Sequence, residues 1–462
     1  MTIHVQANHK YIDEIQSVAQ IFFPHARFGG ENTPDYTIIS TIEKGKVQAE
    51  IKCTGLYDQH TLELTKDVKS LPPKRQAMLA TYRLLRVAIG GYAPWGSLAG
   101  VRPTKMVREW IAANHSKTKI LSTLHSTLHV AQSRASLALE VAKAEIRLAA
   151  KINSPTPATP LGLYISIPFC PSRCVYCSFN TSSGHWTEAA QAQYIQAVIK
   201  ELRRLPPSQF SSIYIGGGTP TALTNNNLAA LLCAIQEVAP NPAEYTIEAG
   251  RPDTITHENL KLMRDYNVNR ISINPQTLND QTLKAIGRNH TTQDFIQAFR
   301  QAREAGFATI NTDIIAGLPG EGPQDMRNTM EALSTLAPEN ITVHTLAIKR
   351  ASKLNEQRIE DKAYTMTTAS LIEHQLIIAH EACAALGQSP YYLYRQKNMA
   401  ALFENTGFSL PGHECLYNIG MMSEVQTVLG VGAGAVSKYV EGDKITRKFN
   451  VKNPEIYIQR IM

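Results

Sequence analysis

The chain has 462 residues, of which 43% are hydrophobic and 18% charged; this excludes a disordered polymer and fits one large domain with an additional one. Its net charge of +7 is unevenly placed: residues 1–160 hold 20 basic and 12 acidic side chains, a balance of +8, and the remainder stands at −1. No apolar run reaches the roughly 18 residues that span a bilayer, and the first ten residues lack an apolar signal core, so a soluble cytosolic protein is expected.

In the first third, Tyr36–Ser40 and Lys46–Lys52 read as two short strands joined by a turn at residues 43–45. Pro72–Ile89, Thr104–Asn114 and much of 126–151 carry helical spacing of Ala and Leu. Glycine breaks at Gly90-Gly91 and Gly96–Gly100 punctuate them. The segment Lys151-Ile-Asn-Ser-Pro-Thr-Pro-Ala-Thr-Pro160 reads as a linker.

Beyond the linker, strands and helices alternate. Strands are expected at Leu163–Ile167, Ser212–Ile215, Tyr245–Glu248, Arg270–Asn274, Ala308–Ile315 and Ile341–Leu346. Helices are expected at His185–Leu205, Asn226–Val238, His257–Tyr266 and Thr292–Ala305, with one more before the last strand. Six β–α units in series imply a parallel sheet, open or closed into a barrel, with functional groups at the carboxyl ends of the strands.

Seven cysteines and no export signal argue against a disulfide framework. Three fall in one loop just past the first of these strands, Cys170-Pro-Ser-Arg-Cys174-Val-Tyr-Cys177. Three thiolates this close can hold three irons of a cubane cluster and leave the fourth iron for an exogenous chelator. A zinc site with His185 as fourth ligand is the alternative. The other four cysteines sit in mixed or apolar surroundings that suit small core residues.

Directly after the second strand comes Gly216-Gly-Gly-Thr-Pro220. Three glycines let the backbone approach a ligand closely, although a plain strand-to-helix turn has the same composition. No Gly-Lys-Ser/Thr follows, so this is not a phosphate loop. Later strands end on polar groups: Glu248, Gln276, Arg288 in Gly287-Arg-Asn-His290, and Asp313. Each alone would suit a surface residue or an ordinary salt bridge; their shared position makes them a candidate constellation. His413 and Cys415 read as a surface histidine and a core cysteine, and Met421-Met422 as core.

The cysteine loop, the Gly-Gly-Gly-Thr-Pro turn and the strand-end series resemble the radical S-adenosylmethionine enzymes, and among them the oxygen-independent coproporphyrinogen III oxidase group. The likeness runs from Tyr164-Ile-Ser-Ile-Pro-Phe-Cys170 through Leu346 and returns at Leu429-Gly-Val-Gly-Ala-Gly-Ala-Val-Ser437. Residues 1–160, with Trp95-Gly-Ser-Leu-Ala-Gly-Val-Arg-Pro-Thr-Lys105, resemble the extension of the HemZ-type branch.

The resemblance implies an α/β fold: a partial (β/α)6 TIM-like barrel over 161–350, an N-terminal α+β domain over 1–160, and a mostly helical, substrate-covering C-terminal region over 351–462. It implies that Cys170, Cys174 and Cys177 ligate a [4Fe–4S] cluster and that Tyr164, Gly217 and Glu248 hold S-adenosylmethionine. Tyr176, Gly218, Thr219, Gln276, Arg288, Asp313 and Ala347 match the positions for a second S-adenosylmethionine. The implied reaction removes a hydrogen atom from the β-carbon of a coproporphyrinogen propionate, and loss of CO2 and one electron leaves a vinyl group.

The chain also departs from the family's patterns. The position of a fourth cysteine holds Phe179, as in the haem-chaperone branch. That branch's His-Asn-x-x-Tyr-Trp signature is matched here by Leu416-Tyr-Asn-Ile-Gly-Met-Met422, with Tyr417 in place of the histidine. The chain thus fits neither branch cleanly; its retained, mostly polar second-cofactor positions make coproporphyrinogen dehydrogenation the leading expectation, with haem delivery and another radical reaction as alternatives. The expected partners are a tetrapyrrole and an acidic electron donor such as flavodoxin or ferredoxin, which would dock on the basic first third through Lys74, Arg75, Arg102, Lys105 and Arg108. Nucleic acid is set aside because no basic stripe with interleaved aromatics stands out. A monomer is expected.

Overall fold

The computed structural model describes the chain apart from residues 25, 30–32, 44, 45, 54–58, 64–67, 69, 70, 92, 153–159, 178–181, 184, 185, 348–351, 353, 355, 357–366, 397–401 and 443. It divides into two units, residues 1–142 with 395–398, and residues 143–394 with 399–462. Most of the expected linker, the turn at 44–45, Phe179 and His185 lie outside the described residues.

The first unit is built on five strands: β1 (Thr2–Ala7), β2 (Arg27–Phe28), β3 (Tyr36–Glu43), β4 (Lys46–Cys53) and β5 (Gln59–Glu63). Their order is β2-β1-β3-β4-β5. The helix α1 (Ile12–Phe22) carries the chain across from β1 to β2, so these two run parallel; β3 also pairs parallel with β1, and the pairs β3–β4 and β4–β5 are antiparallel. Alternation puts Ile3, Val5, Ile38, Val47, Ala49 and Ile51 on one face. That face packs on Ile15 and Ala19 of α1 and on Ala77, Ala80, Leu84 and Leu85 of α2 (Pro73–Ala88). Proline at the first position of α2 costs no hydrogen bond there. α3 (Thr104–Ala112) and α4 (Gln132–Ile152) follow.

The basic side chains expected to dock a partner are differently placed. Lys74 pairs with Glu14 at 2.5 Å, Arg75 reaches the Met78 sulfur, and the Arg108 Nε is buried. Of the expected set Lys105 is exposed and Arg102 half-buried; Lys117 and Lys119, outside that set, are exposed as well.

The second unit contains the predicted series. β6 (Leu161–Ile167), β7 (Phe210–Gly217), β8 (Glu244–Glu248), β9 (Arg270–Ser272), β10 (Thr309–Ala316) and β11 (Asn340–Thr345) lie side by side, parallel and in chain order. The helices α5 (Glu188–Leu202), α6 (Asn225–Val238), α7 (His257–Asp265), α8 (Thr292–Glu304) and α9 (Pro323–Leu336) alternate with them. Threonines start four of these helices, Thr187, Thr224, Thr256 and Thr291, each accepting a backbone N–H of the first turn.

After α10 (Ala369–Ala385), β12 (Ser389–Tyr394) and β13 (Asn405–Ser409) extend the β11 edge antiparallel. Beyond α11 (Leu416–Met422), β14 (Val428–Val431) adds parallel to β6, and β15 (Val436–Glu441), β16 (Lys444–Phe449) and α12 (Pro454–Ile461) finish the chain. Among the described residues the sheet runs in the order β12-β13-β11-β10-β9-β8-β7-β6-β14-β15-β16. The expected mostly helical C-terminal region is instead mixed. Backbone pairing of β13 with β11 and of β14 with β6 covers both edges of the six-strand series, and Tyr391, Leu393, Phe408 and Val431 on the added strands are buried.

One face of the six strands is apolar. Ile165, Ile213, Ile247, Ile271, Ile310 and Val343 pack on Tyr194, Leu228, Leu260, Phe295 and Met330 of the helices. The alternate residues face the other way, and they are polar: Tyr164, Tyr214, Glu248, Ser272, Asn274, Asn311, Asp313, Thr342 and His344. At the amino ends of the strands this polar face is closed by the start of α11 and the residues just before it. Glu244 accepts the Leu416 and Tyr417 N–H groups at 2.6 and 3.0 Å, and Arg270 donates to the His413 carbonyl at 2.6 Å. His413 is half-buried and Cys415 is buried. Met421 and Met422 border a cluster of tyrosines and aliphatics. The polar face is thus left to work at its carboxyl end.

Candidate cluster and cofactor site

The cysteine loop leaves β6 at Ile167 and is tied down along its length. Val175 N–H donates to the Ile286 carbonyl, Leu354 N–H to the Val175 carbonyl, and Cys177 N–H to the Cys174 carbonyl. Cys170 Sγ lies 3.3 Å from Thr219 Oγ1. Cys174 is buried, with Cys170 and Cys177 half-buried. Burial pushes the Cys170 thiol up to about 11; Thr219 works against this, and the neighbouring Cys177 and Cys174 add to it. Three thiols that feel one another in a loop suit an iron–sulfur cluster, which deprotonates them on binding. A cubane spreads one thiolate to each of three irons; among the described residues no three Cys, His or carboxylate side chains converge as a single-ion site.

The Gly-Gly-Gly-Thr-Pro turn packs against this loop. Gly218 and Thr219 N–H groups donate to the Ile167 and Phe169 carbonyls, each at 2.7 Å. A Cβ on Gly218 would stand 2.5 Å from the Phe169 oxygen, and one on Gly216 would stand 2.9 Å from Glu248 Cδ. Gly217 has φ +105°, a conformation that disfavours any side chain. The close approach allowed by the glycines is thus to the cysteine loop and to Glu248.

Glu248 ends β8 and accepts a hydrogen bond from the Tyr214 phenol at 2.5 Å. Burial raises its carboxyl to about 7; the Tyr214 bond opposes this and Asp313 adds to it. Tyr214 stacks on Tyr417 at 4.4 Å, and Tyr417 stacks on Tyr164 at 5.9 Å. Burial, with Glu248 beside them, raises the phenols of Tyr164, Tyr214 and Tyr417.

Asp313, on β10, accepts from Asn311 Nδ2 at 2.8 Å and lies 3.5 Å from His344 Nε2. Burial would raise its carboxyl, but the bonds from His344, Asn311 and Thr342 outweigh that and hold it below the usual range. Gln276 has φ +70° and bridges to β10: its N–H donates to the Asp313 carbonyl and its own carbonyl accepts from Ile315, both at 2.9 Å.

Arg288 is buried. Its Nη2 donates to the Gly250 carbonyl at 2.6 Å and also to the Asn274 carbonyl, and its Nη1 reaches the Tyr176 hydroxyl at 3.4 Å. Burial raises the Tyr176 phenol, against the pull of Arg288. Ala347 lies half-buried just past β11.

The structure therefore brings Glu248, Gln276, Asp313 and the three cysteines toward the carboxyl ends of consecutive strands, with Arg288 in the loop after β9; Tyr164 lies in the middle of β6, level with Tyr214. Sequence reasoning missed Tyr214, His344, Arg251 and Tyr417 as members of this surface. For Tyr214 a signal existed: it stands two residues before Gly216, on the same side of β7.

Residues 164–333 match the Radical SAM superfamily, whose proteins work with a [4Fe–4S] cluster and S-adenosylmethionine. The chain is 35% identical to the oxygen-independent coproporphyrinogen-III oxidase-like protein HemZ of Bacillus subtilis, over 96% of this chain and 92% of that one. It is 32% identical to the heme chaperone HemW of Lactococcus lactis, over 61% of this chain and 70% of that one. The structure of coproporphyrinogen III oxidase (HemN) from Escherichia coli, a radical SAM enzyme, resembles it with a TM-score of 0.55 at 24% identity, over 67% of this chain and 71% of that one; this is a likeness of fold. With a fold, a three-cysteine loop and a near full-length relative in agreement, the chain belongs to the radical SAM superfamily and, within it, to the HemZ-type branch of coproporphyrinogen-III oxidase-like proteins.

Proposed function

We propose that this protein is an oxygen-independent coproporphyrinogen III dehydrogenase that converts propionate side chains to vinyl groups. Cys170, Cys174 and Cys177 hold the cluster. Tyr164, Gly217 and Glu248 hold S-adenosylmethionine. Tyr176, Gly218, Thr219, Gln276, Arg288, Asp313 and Ala347 hold a second S-adenosylmethionine or the substrate in its place. Bound together, cluster and S-adenosylmethionine supply a radical able to take a hydrogen atom from an unactivated carbon.

The protein's own residues orient and shield. Glu248, with its carboxyl raised by burial to about 7, exchanges between its protonated and ionised forms near neutrality and accepts from hydroxyl groups in both. Asp313, kept ionised by His344, is a fixed acceptor. Arg288 is held by two carbonyls and so meets an anionic group without reorganising. The aromatic stack of Tyr164, Tyr417 and Tyr214 keeps water from the base of the site.

The observation that carries this reading is the band of polar groups across one face of the six strands, from Tyr164 to His344. Likeness to HemW favours haem delivery as a second reading. Against it, Tyr417 is 8% exposed and its ring stacks on both Tyr164 and Tyr214, which leaves this side chain in the core rather than open to a haem iron. The test is anaerobic reconstitution followed by incubation with S-adenosylmethionine, a reductant and coproporphyrinogen III. Vinyl products are expected. Haem retention without turnover would replace this reading with the second, and Cys→Ala changes at 170, 174 or 177 should abolish the iron–sulfur absorbance.

A further inference from the structure

Just past β8, Glu248-Ala-Gly-Arg251-Pro-Asp253 places an arginine where the strand-end band meets the cysteine loop. Arg251 is 3% exposed. Its Nε and Nη2 form a two-pronged pair with Asp253, both bonds at 3.0 Å. Its remaining nitrogen, Nη1, faces the other way. It donates to Ser172 Oγ at 3.0 Å, to the Ser172 carbonyl at 3.4 Å and to Cys174 Sγ at 3.7 Å.

We infer that Arg251 is a positioning residue that fixes the cysteine loop and sets the reduction potential of the cluster through Cys174. The inference rests on the cluster assignment proposed above. Arg251 and Asp253 are neutral as a pair but oriented, with the cationic edge on the sulfur and the carboxylate on the far side. Reduction adds one electron, and so negative charge, to the cluster and its thiolates. A buried donor and positive edge at one sulfur stabilise that added charge. The guanidinium fork can hold Asp253 and the loop at once, which an ammonium cannot. Arg251 thereby favours the reduced state, from which S-adenosylmethionine cleavage starts.

The two partners must act with opposite sign. In full-length, anaerobically reconstituted protein, titrated with a mediated chemical reductant and followed by absorbance and electron paramagnetic resonance, Arg251→Gln should shift the one-electron equilibrium about tenfold against reduction, a drop of about 59 mV. Asp253→Asn should shift it in favour of reduction. Arg251→Lys should fall between Arg251→Gln and the native chain. If native and Arg251→Gln proteins carry equal clusters at one potential, or if both changes move the potential the same way, the inference is overturned. Should Arg251→Gln fail to hold a cluster, Asp253→Asn decides: a raised potential supports the role, and an unmoved or lowered one overturns it. A native chain that takes up no cluster would overturn the cluster assignment itself.

Discussion

The Tyr214 phenol donates to Glu248 Oε1 at 2.5 Å, and the two residues lie on adjacent strands beneath the glycine turn. Burial nevertheless lifts the Glu248 carboxyl from 4.5 to about 7. A carboxyl raised on folding binds more protons folded than unfolded. Its contribution to stability is complete below pH 4.5 and is lost as pH rises through about 7. Glu248→Gln removes this titration. Relative to the native chain, that variant should gain stability between pH 5 and 8, by about 1–3 kcal/mol. Glu321, also raised to about 7 by burial, titrates in both chains. The native–variant difference in denaturant melts across pH is therefore the measurement.

Gly218→Ala should damage the site through the backbone. The new Cβ would meet the Phe169 carbonyl oxygen at 2.5 Å, and a backbone atom in a paired segment has little room to yield. A loss of about 1–3 kcal/mol is expected, with weakened S-adenosylmethionine binding in equilibrium dialysis. Gly100→Ala, which meets nothing within 4 Å, should leave both unchanged.

Arg288→Ala should act on stability and on stoichiometry. It leaves the Gly250 and Asn274 carbonyls without their donor, at about 1–3 kcal/mol. If Arg288 holds the second S-adenosylmethionine, binding to the anaerobic protein should fall from two sites to one. A single site in both chains would remove that role. Arg288→Lys should restore stability only in part, because one ammonium cannot span both carbonyls and Tyr176.

The first unit offers an electrostatic test. Lys105, Lys117 and Lys119 are exposed there, whereas Arg108 is partly buried and Lys74 is engaged with Glu14. Reversal of the three exposed lysines to glutamate should slow cluster reduction by an acidic flavodoxin severalfold at low salt. The difference should vanish as salt screens the encounter. Equal rates at low salt would remove the docking role from this unit.

Sequence alone determined the six strand–helix units, because helix-side positions such as Ile165, Ile213 and Ile247 are apolar at a period of two and the helices start at threonine caps. It also located the three cysteines and the strand-end residues Glu248, Gln276 and Asp313, since a parallel series fixes which ends share one side. The tertiary structure decided what pairwise spacing cannot carry. Tyr417 reaches Tyr164 and Tyr214 from more than 200 residues away in the chain, and His344 meets Asp313 only because β10 and β11 are neighbours in register. The 216–218 turn reads in the sequence as backbone open to close approach; the fold shows that Phe169 and Glu248 are among the groups that approach it. Arg251 is an ordinary loop arginine in the sequence, and it becomes a partner of Cys174 only when the loops after β6 and β8 are brought together. Local pattern encodes which face and which end of a strand a residue occupies, while contacts between distant segments follow from packing of the whole sheet.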